Sequence, residues 1–198
     1  MRIPIILASA SPRRRDLLAE LRVPFIVSPS EVDETPRRGE LPADLVRRLA
    51  RSKAMRTFAF QRASIVLAAD TVVALEDVVF GKPVDREDGR SMLQRLAGRE
   101  HRVLTGFCVM APGGEMVDEV VETLVRFRKL DDAEIDAYLD SGEPFDKAGA
   151  YAIQGGAGTF VVSIEGSYSN VVGLPQDEVA AVLGRFISLP ARDGAAPT

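Results

Sequence analysis

Apolar runs alternate with amphipathic segments along the chain, and this alternation is typical of a β-sheet covered by helices. Continuous apolar runs predict buried strands at 3–7, 24–27, 65–69, 72–75 and 78–80. The clearest helical segment is Pro42 to Phe60. Its apolar positions recur on one face and comprise Leu45, Leu49, Ala50, Ala54 and Phe58. We therefore expect an α/β fold.

The second half of the chain continues this pattern with longer strands. Two β-rich segments, 101–110 and 115–130, flank the hairpin-type turn Pro112-Gly113-Gly114. Aspartates predict helix starts at Asp85 and at Asp131 or Asp132, and a strand at 160–164 precedes a last helix. Residues 1–187 are thus predicted to form a single domain. Residues 188–198, rich in Ala, Pro and Gly, are predicted to be a flexible C-terminal tail.

The composition is that of a soluble globular protein. The chain has 198 residues, of which 46% are hydrophobic and 27% charged. No apolar run approaches the ~20 residues that a membrane helix needs, and the N-terminus lacks a signal peptide pattern. The single cysteine, Cys108, lies in an apolar strand and is predicted to be a small core residue. We expect a cytoplasmic protein without a membrane partner.

Charge is distributed unevenly along the sequence. The net charge is −4, but residues 1–62 carry 13 Lys and Arg against 7 Asp and Glu. A basic N-terminal part on an acidic protein argues against stable nucleic-acid or membrane binding. It is compatible with a local site for a small anion.

The basic residues are most concentrated where the first helix begins. Ser11 is placed to cap this helix and Pro12 suits its first position. Arg13, Arg14 and Arg15 follow, although helix N-termini favour negative neighbours. Either a bound polyanion such as phosphate resolves this conflict, or the arginines are simply solvated.

Two further charged residues lie beside predicted buried surfaces. Lys53 adjoins the apolar stripe of the helix that starts at Pro42, where most lysines would be surface charges. Asp70 comes at the predicted end of the strand that begins at Ile65. A buried carboxylate is costly unless a partner stabilises it, and strand ends in open α/β sheets are where ligands bind. Asp70 is therefore a candidate metal ligand or base, the alternative being a structural turn cap.

Three other stretches carry weaker signals. The polar loop 28–40 holds Glu31, Asp33 and Glu34 within four positions, and these carboxylates are either functional or solvated. Gly81-Lys82-Pro83 lacks the other residues of a phosphate-binding P-loop. The single histidine, His101, has no second ligand for zinc and is expected to be exposed.

The segments singled out above resemble the Maf family of nucleoside triphosphate pyrophosphatases. The matching motifs appear in order from Leu7 to about Phe186. They are Leu-Ala-Ser-Ala-Ser-Pro-Arg-Arg at 7–14, the acidic run ending at Glu34, Lys53, Ala-Asp-Thr-Val-Val at 69–73, Gly-Lys-Pro at 81–83, Glu-Pro-Phe-Asp-Lys-Ala-Gly-Ala-Tyr at 143–151, Ile-Gln-Gly at 153–155, and Tyr-Ser-Asn-Val-Val-Gly-Leu-Pro at 168–175.

The resemblance implies an elongated, curved mixed β-sheet flanked by helices, with two lobes and a central cleft as in inosine triphosphatases. It also implies a homodimer, and cleavage of a nucleoside triphosphate between its α- and β-phosphates with a divalent metal cation, Mg²⁺ or Mn²⁺. The motif at 143–155 looks like that of the branch acting on dTTP and UTP. Two alternatives stay open: a pyrophosphatase for other or modified nucleotides, and a nucleotide-sensing regulator of cell division or DNA transactions.

The same resemblance assigns roles to residues of this sequence. Catalytic residues would be Asp70, Lys53, Lys82 and Glu34, with Asp70 and Glu34 as metal ligands. Substrate phosphates would contact Ser9, Arg13, Arg14, Asp146 and Lys147, and base specificity would depend on Arg13, Thr71 and Gln154. An amide such as that of Gln154 both donates and accepts hydrogen bonds, which suits the O4 and N3–H edge of uracil or thymine.

Overall fold

A computed structural model of the chain describes residues 3–190. These residues form a seven-stranded mixed sheet in the order β2-β1-β3-β5-β6-β7, with β4 pairing with β3. β2 and β3 run parallel to β1, and all other pairs are antiparallel. The strands are β1 (Ile5–Leu7), β2 (Phe25–Val27), β3 (Ile65–Leu75), β4 (Val78–Phe80), β5 (Glu100–Met110), β6 (Met116–Phe127) and β7 (Val161–Glu165).

Helices flank this sheet and also connect its strands. The α-helices are α1 (Pro12–Ala19), α2 (Pro42–Phe58), α3 (Arg86–Leu96), α4 (Asp132–Asp140), α5 (Tyr168–Val172) and α6 (Gln176–Leu183). Three short 3₁₀ turns, Glu143–Asp146, Ala148–Ala150 and Gly156–Phe160, shape the glycine-rich connection from α4 to β7. Of the described residues, no helix is long and apolar enough to cross a membrane.

Local capping explains where the helices begin. The Ser11 side chain accepts a hydrogen bond from the backbone N–H of Arg14, and Pro12 occupies the first helical position of α1. Asp85 caps α3 in the same way. Asp131 and Glu134 form a reciprocal capping box at the start of α4. These starts confirm the predictions made from the sequence, whereas the separate short helix α5 was not predicted.

The sheet is covered on both faces and forms two main apolar cores. The first core joins β1, β2, α1 and α6 to the first half of β3, up to Ala69. The second joins β4, α3 and α4 to the second half of β3, from Val73 onward. Helix α2 packs on the other face of β3 and β5. The predicted mixed sheet with flanking helices and two lobes is confirmed.

β3 spans both lobes and has a gap along one edge. On that edge it pairs with β1 as far as Leu67 and with β4 from Val73. Within residues 3–190, the only strand neighbour of residues 68–72 is β5. The predicted strand end at Asp70 is therefore wrong. The strand runs through Asp70 because the apolar residues 72–75 continue the sheet into the hairpin with β4.

The predicted exposure of His101 is also wrong. His101 lies in β5 with 2% of its surface exposed. Its ring packs edge-on against Phe127, with centroids 4.8 Å apart, and its Nε2 lies 2.9 Å from the Tyr151 hydroxyl. Burial lowers the pKa of His101 to about 4, so the ring is neutral near pH 7. The sequence does not reveal this burial, because the residues that cover His101 are distant from it along the chain.

The flexible tail predicted for 188–198 lies mainly outside the described residues, which end at Pro190. Residues 188–190 form no helix or strand.

We expect Gly106→Ala to destabilise the fold, because helix α2 approaches β5 closely at this residue. A Cβ on Gly106 would lie 2.5 Å from the carbonyl carbon and oxygen of Val46 in α2. Backbone atoms cannot rotate away, so the helix must shift, and overpacking of this kind costs about 1–3 kcal/mol. Urea unfolding monitored by circular dichroism measures the loss. Gly81→Ala is the matched control, since a Cβ there has no neighbour within 4 Å; equal midpoints for the two variants would contradict the prediction.

Candidate active site

A cleft of about 770 Å³ opens beside the gap in the edge of β3. Its walls come from the turn between β1 and α1, the acidic loop 28–40, β3, and the glycine-rich segment after α4. The structure places all eleven predicted site residues along this one cleft. They are Ser9, Arg13, Arg14, Glu34, Lys53, Asp70, Thr71, Lys82, Asp146, Lys147 and Gln154.

A buried ion pair lies on the α2 side of the cleft. Alternation along β3 puts Asp70 on the same face as Ala68 and Val72, which pack against α2. Lys53 extends from α2, and its Nζ lies 2.6 Å from Asp70 Oδ1. The exposed fractions of the two side chains are 9% and 11%, so each charge needs the other.

Glu34 joins this pair from the solvent side. Its Oε1 also lies 2.6 Å from Lys53 Nζ, although 59% of the Glu34 side chain is exposed. One lysine thus holds two carboxylates from distant parts of the chain. The structure shows that Lys53 is a buried member of the site and not a surface charge.

Arg48 anchors the acidic loop that carries Glu34. Its guanidinium binds both oxygens of Glu40, at 2.6 and 2.8 Å, and donates to the Thr35 carbonyl at 3.1 Å. These hydrogen bonds lower the pKa of Glu40 to about 2. The sequence did not point to Arg48, because its ion pair with Glu40, eight positions away, depends on the path of the loop.

Arg14 makes an extensive set of bonds to the protein itself. Its Nε donates to the Gly173 carbonyl at 2.9 Å, Nη1 to the Ala69 carbonyl at 2.8 Å and Nη2 to Thr71 Oγ1 at 2.9 Å. Burial lowers the pKa of Arg14, and the Asp70 carboxylate opposes this shift. Arg14 therefore links the open edge of β3 to the C-terminal end of α5, and its contact with phosphate stays a prediction.

Thr71 is oriented by several polar neighbours. Besides accepting from Arg14, its hydroxyl lies 2.9 Å from Thr105 Oγ1 and 3.4 Å from the Gly173 carbonyl. Thr105 in turn donates to the backbone carbonyl of Asn170. This network fixes the Thr71 side chain at the floor of the cleft.

The opposite wall carries the segment that includes Asp146 and Lys147. Lys147 forms an ion pair with Asp146 and donates to the Glu143 carbonyl at 3.4 Å. A few residues on, Gly149 donates its N–H to the Gly81 carbonyl at 2.9 Å. Gly149 has a φ of +68°, which favours glycine. This turn brings the exposed Lys82 to the same wall as Lys147.

The carboxylates of the site have the chemistry that a hard divalent cation requires. Within residues 3–190, no group of three or more His, Cys, Asp or Glu is arranged to hold a metal. The carboxylates of Asp70 and Glu34 nevertheless lie close together, because both contact the Nζ atom of Lys53. Mg²⁺ is commonly bound by one or two carboxylates together with substrate phosphates. Asp70 and Glu34 fit this pattern.

The cleft therefore combines cationic walls with a buried carboxylate that a lysine holds in place. Such an arrangement is typical of a site that binds a phosphorylated polyanion. Comparison with known sequences agrees with this class: the profile of the family described as Maf-like protein matches residues 4–186. The chain belongs to this family, which confirms the resemblance seen in its motifs.

Several named relatives are similar over almost their whole length. A protein of Anaeromyxobacter dehalogenans (strain 2CP-C) named dTTP/UTP pyrophosphatase is 52% identical, covering 91% of this chain and 93% of its own. A protein of the same name from Myxococcus xanthus (strain DK1622) is 51% identical, covering 91% of each. Among solved structures, the Ham1 protein of Staphylococcus aureus matches 63% of this chain and 71% of its own. Its TM-score with this chain is 0.47 at 13% identity.

Proposed function

We propose that this protein hydrolyses dTTP and UTP to the nucleoside monophosphate and pyrophosphate. The observation that carries the proposal is the buried Asp70, held by Lys53 at 2.6 Å in a cleft with further cationic residues on its walls. A triphosphate needs such cations, and its hydrolysis needs a fixed group that orients or deprotonates water. The names of relatives about 50% identical to the chain support the choice of substrate.

In the proposed reaction, a water oxygen attacks the α-phosphorus in line with the bond to the bridging oxygen. The new P–O bond forms as the bond from the α-phosphorus to the bridging oxygen breaks. Pyrophosphate leaves with that oxygen and its electron pair. Asp70 accepts the proton of the attacking water or orients that water, while Lys53 keeps the carboxylate in position. Arg13, Lys82 and Lys147 neutralise the phosphates.

We also propose that the enzyme requires Mg²⁺ or Mn²⁺, held by Asp70 and Glu34. When bound, the ion would neutralise charge on the phosphate oxygens. The predicted homodimer, cytoplasmic location and absence of stable nucleic-acid binding remain part of the proposal.

A panel of nucleoside triphosphates tests the function. The purified protein is incubated with dTTP, UTP, CTP, ATP and GTP, with Mg²⁺, with Mn²⁺ and with EDTA, and the products are identified by chromatography. We expect monophosphate and pyrophosphate, formed fastest from dTTP and UTP and lost in EDTA. Release of inorganic phosphate with a diphosphate would contradict the proposal. Turnover of none of the five substrates would favour the nucleotide-sensing regulator instead, and faster turnover of CTP, ATP or GTP than of dTTP and UTP would favour a pyrophosphatase for other nucleotides.

We expect Lys82→Ala to raise the KM for UTP, and the increase to shrink as salt concentration rises. Lys82 is exposed on the cleft wall, so its attraction for the triphosphate is screened by added salt. An exposed contact of this kind contributes about 1 kcal/mol, which is roughly a fivefold change in KM at low salt. Steady-state kinetics at low and at high KCl concentration measure this change in KM. Lys129→Ala, an exposed lysine outside the cleft, is the control; equal effects of the two substitutions would contradict the prediction.

We expect Gln154→Ala to reduce selectivity more than it reduces chemistry. Loss of one or two hydrogen bonds to a pyrimidine edge costs roughly 0.5–3 kcal/mol, a several-fold to about hundredfold fall in kcat/KM for dTTP and UTP. Purine triphosphates do not make these bonds and should lose less. The five-substrate panel, applied to the variant, measures this change. An equal loss on all substrates would mean that Gln154 only supports its loop.

A further inference from the structure

The turn that carries Gln154 is attached to the rest of the protein at both of its ends. Gly155 donates its N–H to the Ala152 carbonyl at 3.1 Å, so residues 152–155 close a tight turn. Gln154 itself is exposed and lines the cleft. An exposed side chain on a glycine-rich turn has many accessible orientations. Selective contact with a base therefore requires that other residues restrain the turn.

Tyr138 and Glu143 provide this restraint. The Ala152 N–H donates to the Tyr138 hydroxyl at 3.0 Å, two residues before Gln154. The Gly156 N–H donates to Glu143 Oε2 at 3.2 Å, two residues after it. The Tyr138 hydroxyl donates to Glu143 Oε1 at 2.7 Å, which links the two attachment points.

Both residues are themselves held by the surrounding protein. Tyr138 lies in α4 with 6% of its surface exposed, and its ring packs edge-on against Phe160 at 5.2 Å. Burial, and then the hydrogen bond to Glu143, raise the pKa of Tyr138, so its hydroxyl stays protonated as the donor. The Glu143 carboxylate lies so close to the turn that a Cβ on Gly155 would meet Oε1 at 2.2 Å. A side chain at residue 155 would therefore displace the Glu143 carboxylate from the turn.

We propose that Tyr138 and Glu143 are positioning residues for base recognition, because they fix both ends of the turn that presents Gln154 to the cleft. The inference rests on the proposed function, in which Gln154 reads the pyrimidine base. Neither residue contacts the cleft's cationic groups through its side-chain oxygens, so their effect on selectivity is predicted to pass through Gln154.

Two conservative substitutions test this role. Tyr138→Phe keeps the ring packing and removes the hydroxyl, and Glu143→Gln replaces one accepting carboxylate oxygen by an NH2 group, which only donates. Loss of one such hydrogen bond corresponds to roughly a threefold to tenfold fall in kcat/KM for UTP and dTTP, with a smaller fall for ATP and GTP. Tyr168→Phe is the control. It removes the hydroxyl of a tyrosine that begins α5, is 49% exposed and does not line the cleft, and it should keep the wild-type ratio of pyrimidine to purine activity.

A double-mutant comparison separates positioning from a general structural role. In a Gln154→Ala background, Tyr138→Phe and Glu143→Gln should change kcat/KM for UTP by less than about twofold, because the residue that they position is gone. Equal loss on all five substrates, or full additivity with Gln154→Ala, would overturn the inference. If thermal melting shows that one of these two variants fails to fold, the other variant tests the inference. A wild-type enzyme without pyrimidine preference would instead overturn the proposed function.

Discussion

Replacement of Asp70 by Asn is expected to abolish most turnover while leaving the fold intact. Asn has nearly the same shape as Asp, and its amide still offers an oxygen to Lys53, 2.6 Å from Asp70 Oδ1 in the native protein. It cannot take up the proton of the attacking water, and it is a weaker cation ligand. Removal of a general base typically lowers kcat by about 10²–10⁴-fold.

Initial rates with UTP, together with a thermal melt, measure this effect. Asp118→Asn is the matched control, because Asp118 in β6 pairs with Arg47 and Arg51 and does not line the cleft. That variant should keep turnover within about twofold, because the Asp118 side chain is 10% exposed, much like that of Asp70, yet lies outside the cleft. Turnover close to the wild-type rate in Asp70→Asn would remove Asp70 from the mechanism.

Replacement of Lys53 by Met is expected to lower both activity and stability. Met has a similar length but no charge, so two carboxylates lose the cation that they share. Loss of one partner of a buried pair costs about 3–5 kcal/mol. The low end applies here, because Glu34 is largely exposed and only Asp70 is left buried. Because Lys53 also holds the Asp70 carboxylate in position, its loss should lower kcat by about 10²–10³-fold.

Urea unfolding and steady-state rates separate these two losses. Lys53→Met combined with Asp70→Leu leaves no buried charge and should regain much of the lost stability, yet stay inactive. Lys82→Met is the control for removal of a cleft lysine. Lys82 is exposed, so that variant should unfold at nearly the wild-type urea concentration. A Lys53→Met protein as stable as the wild type would contradict the prediction.

The sequence predicted most of the elements, because their signals are local. The apolar stripe of α2, the caps at Ser11 and Asp131, and the hairpin from β3 to β4 all depend on residues within a few positions of one another. The motifs also predicted which residues would meet in the cleft. Their roles in catalysis and base choice remain predictions that the proposed kinetics can test.

The interactions that the sequence did not reveal are long-range. Arg14 contacts Gly173 across 159 positions, and His101 meets Tyr151 across 50. A pattern of hydrophobic and polar residues carries no signal for such pairs. The end of β3 was misplaced for a related reason: a charged residue normally ends a buried strand, and only the distant Lys53 makes burial of Asp70 tolerable.

The gap in the edge of β3 limits how the cleft can move. Along that edge no strand of the described part of the chain spans residues 68–72, so the backbone ladder connecting the two lobes there is that of β3 with β5. Hinge motion of one lobe against the other must therefore bend the paired strands β3 and β5 at the segment that contains Asp70 and Thr71. Gating by the acidic loop and the Gln154 turn needs no such distortion. Amide hydrogen exchange with and without nucleotide distinguishes the two modes. Bending of β3 predicts faster exchange at residues 68–72 when nucleotide binds, whereas loop gating predicts unchanged or slower exchange there, because bound nucleotide shields these residues.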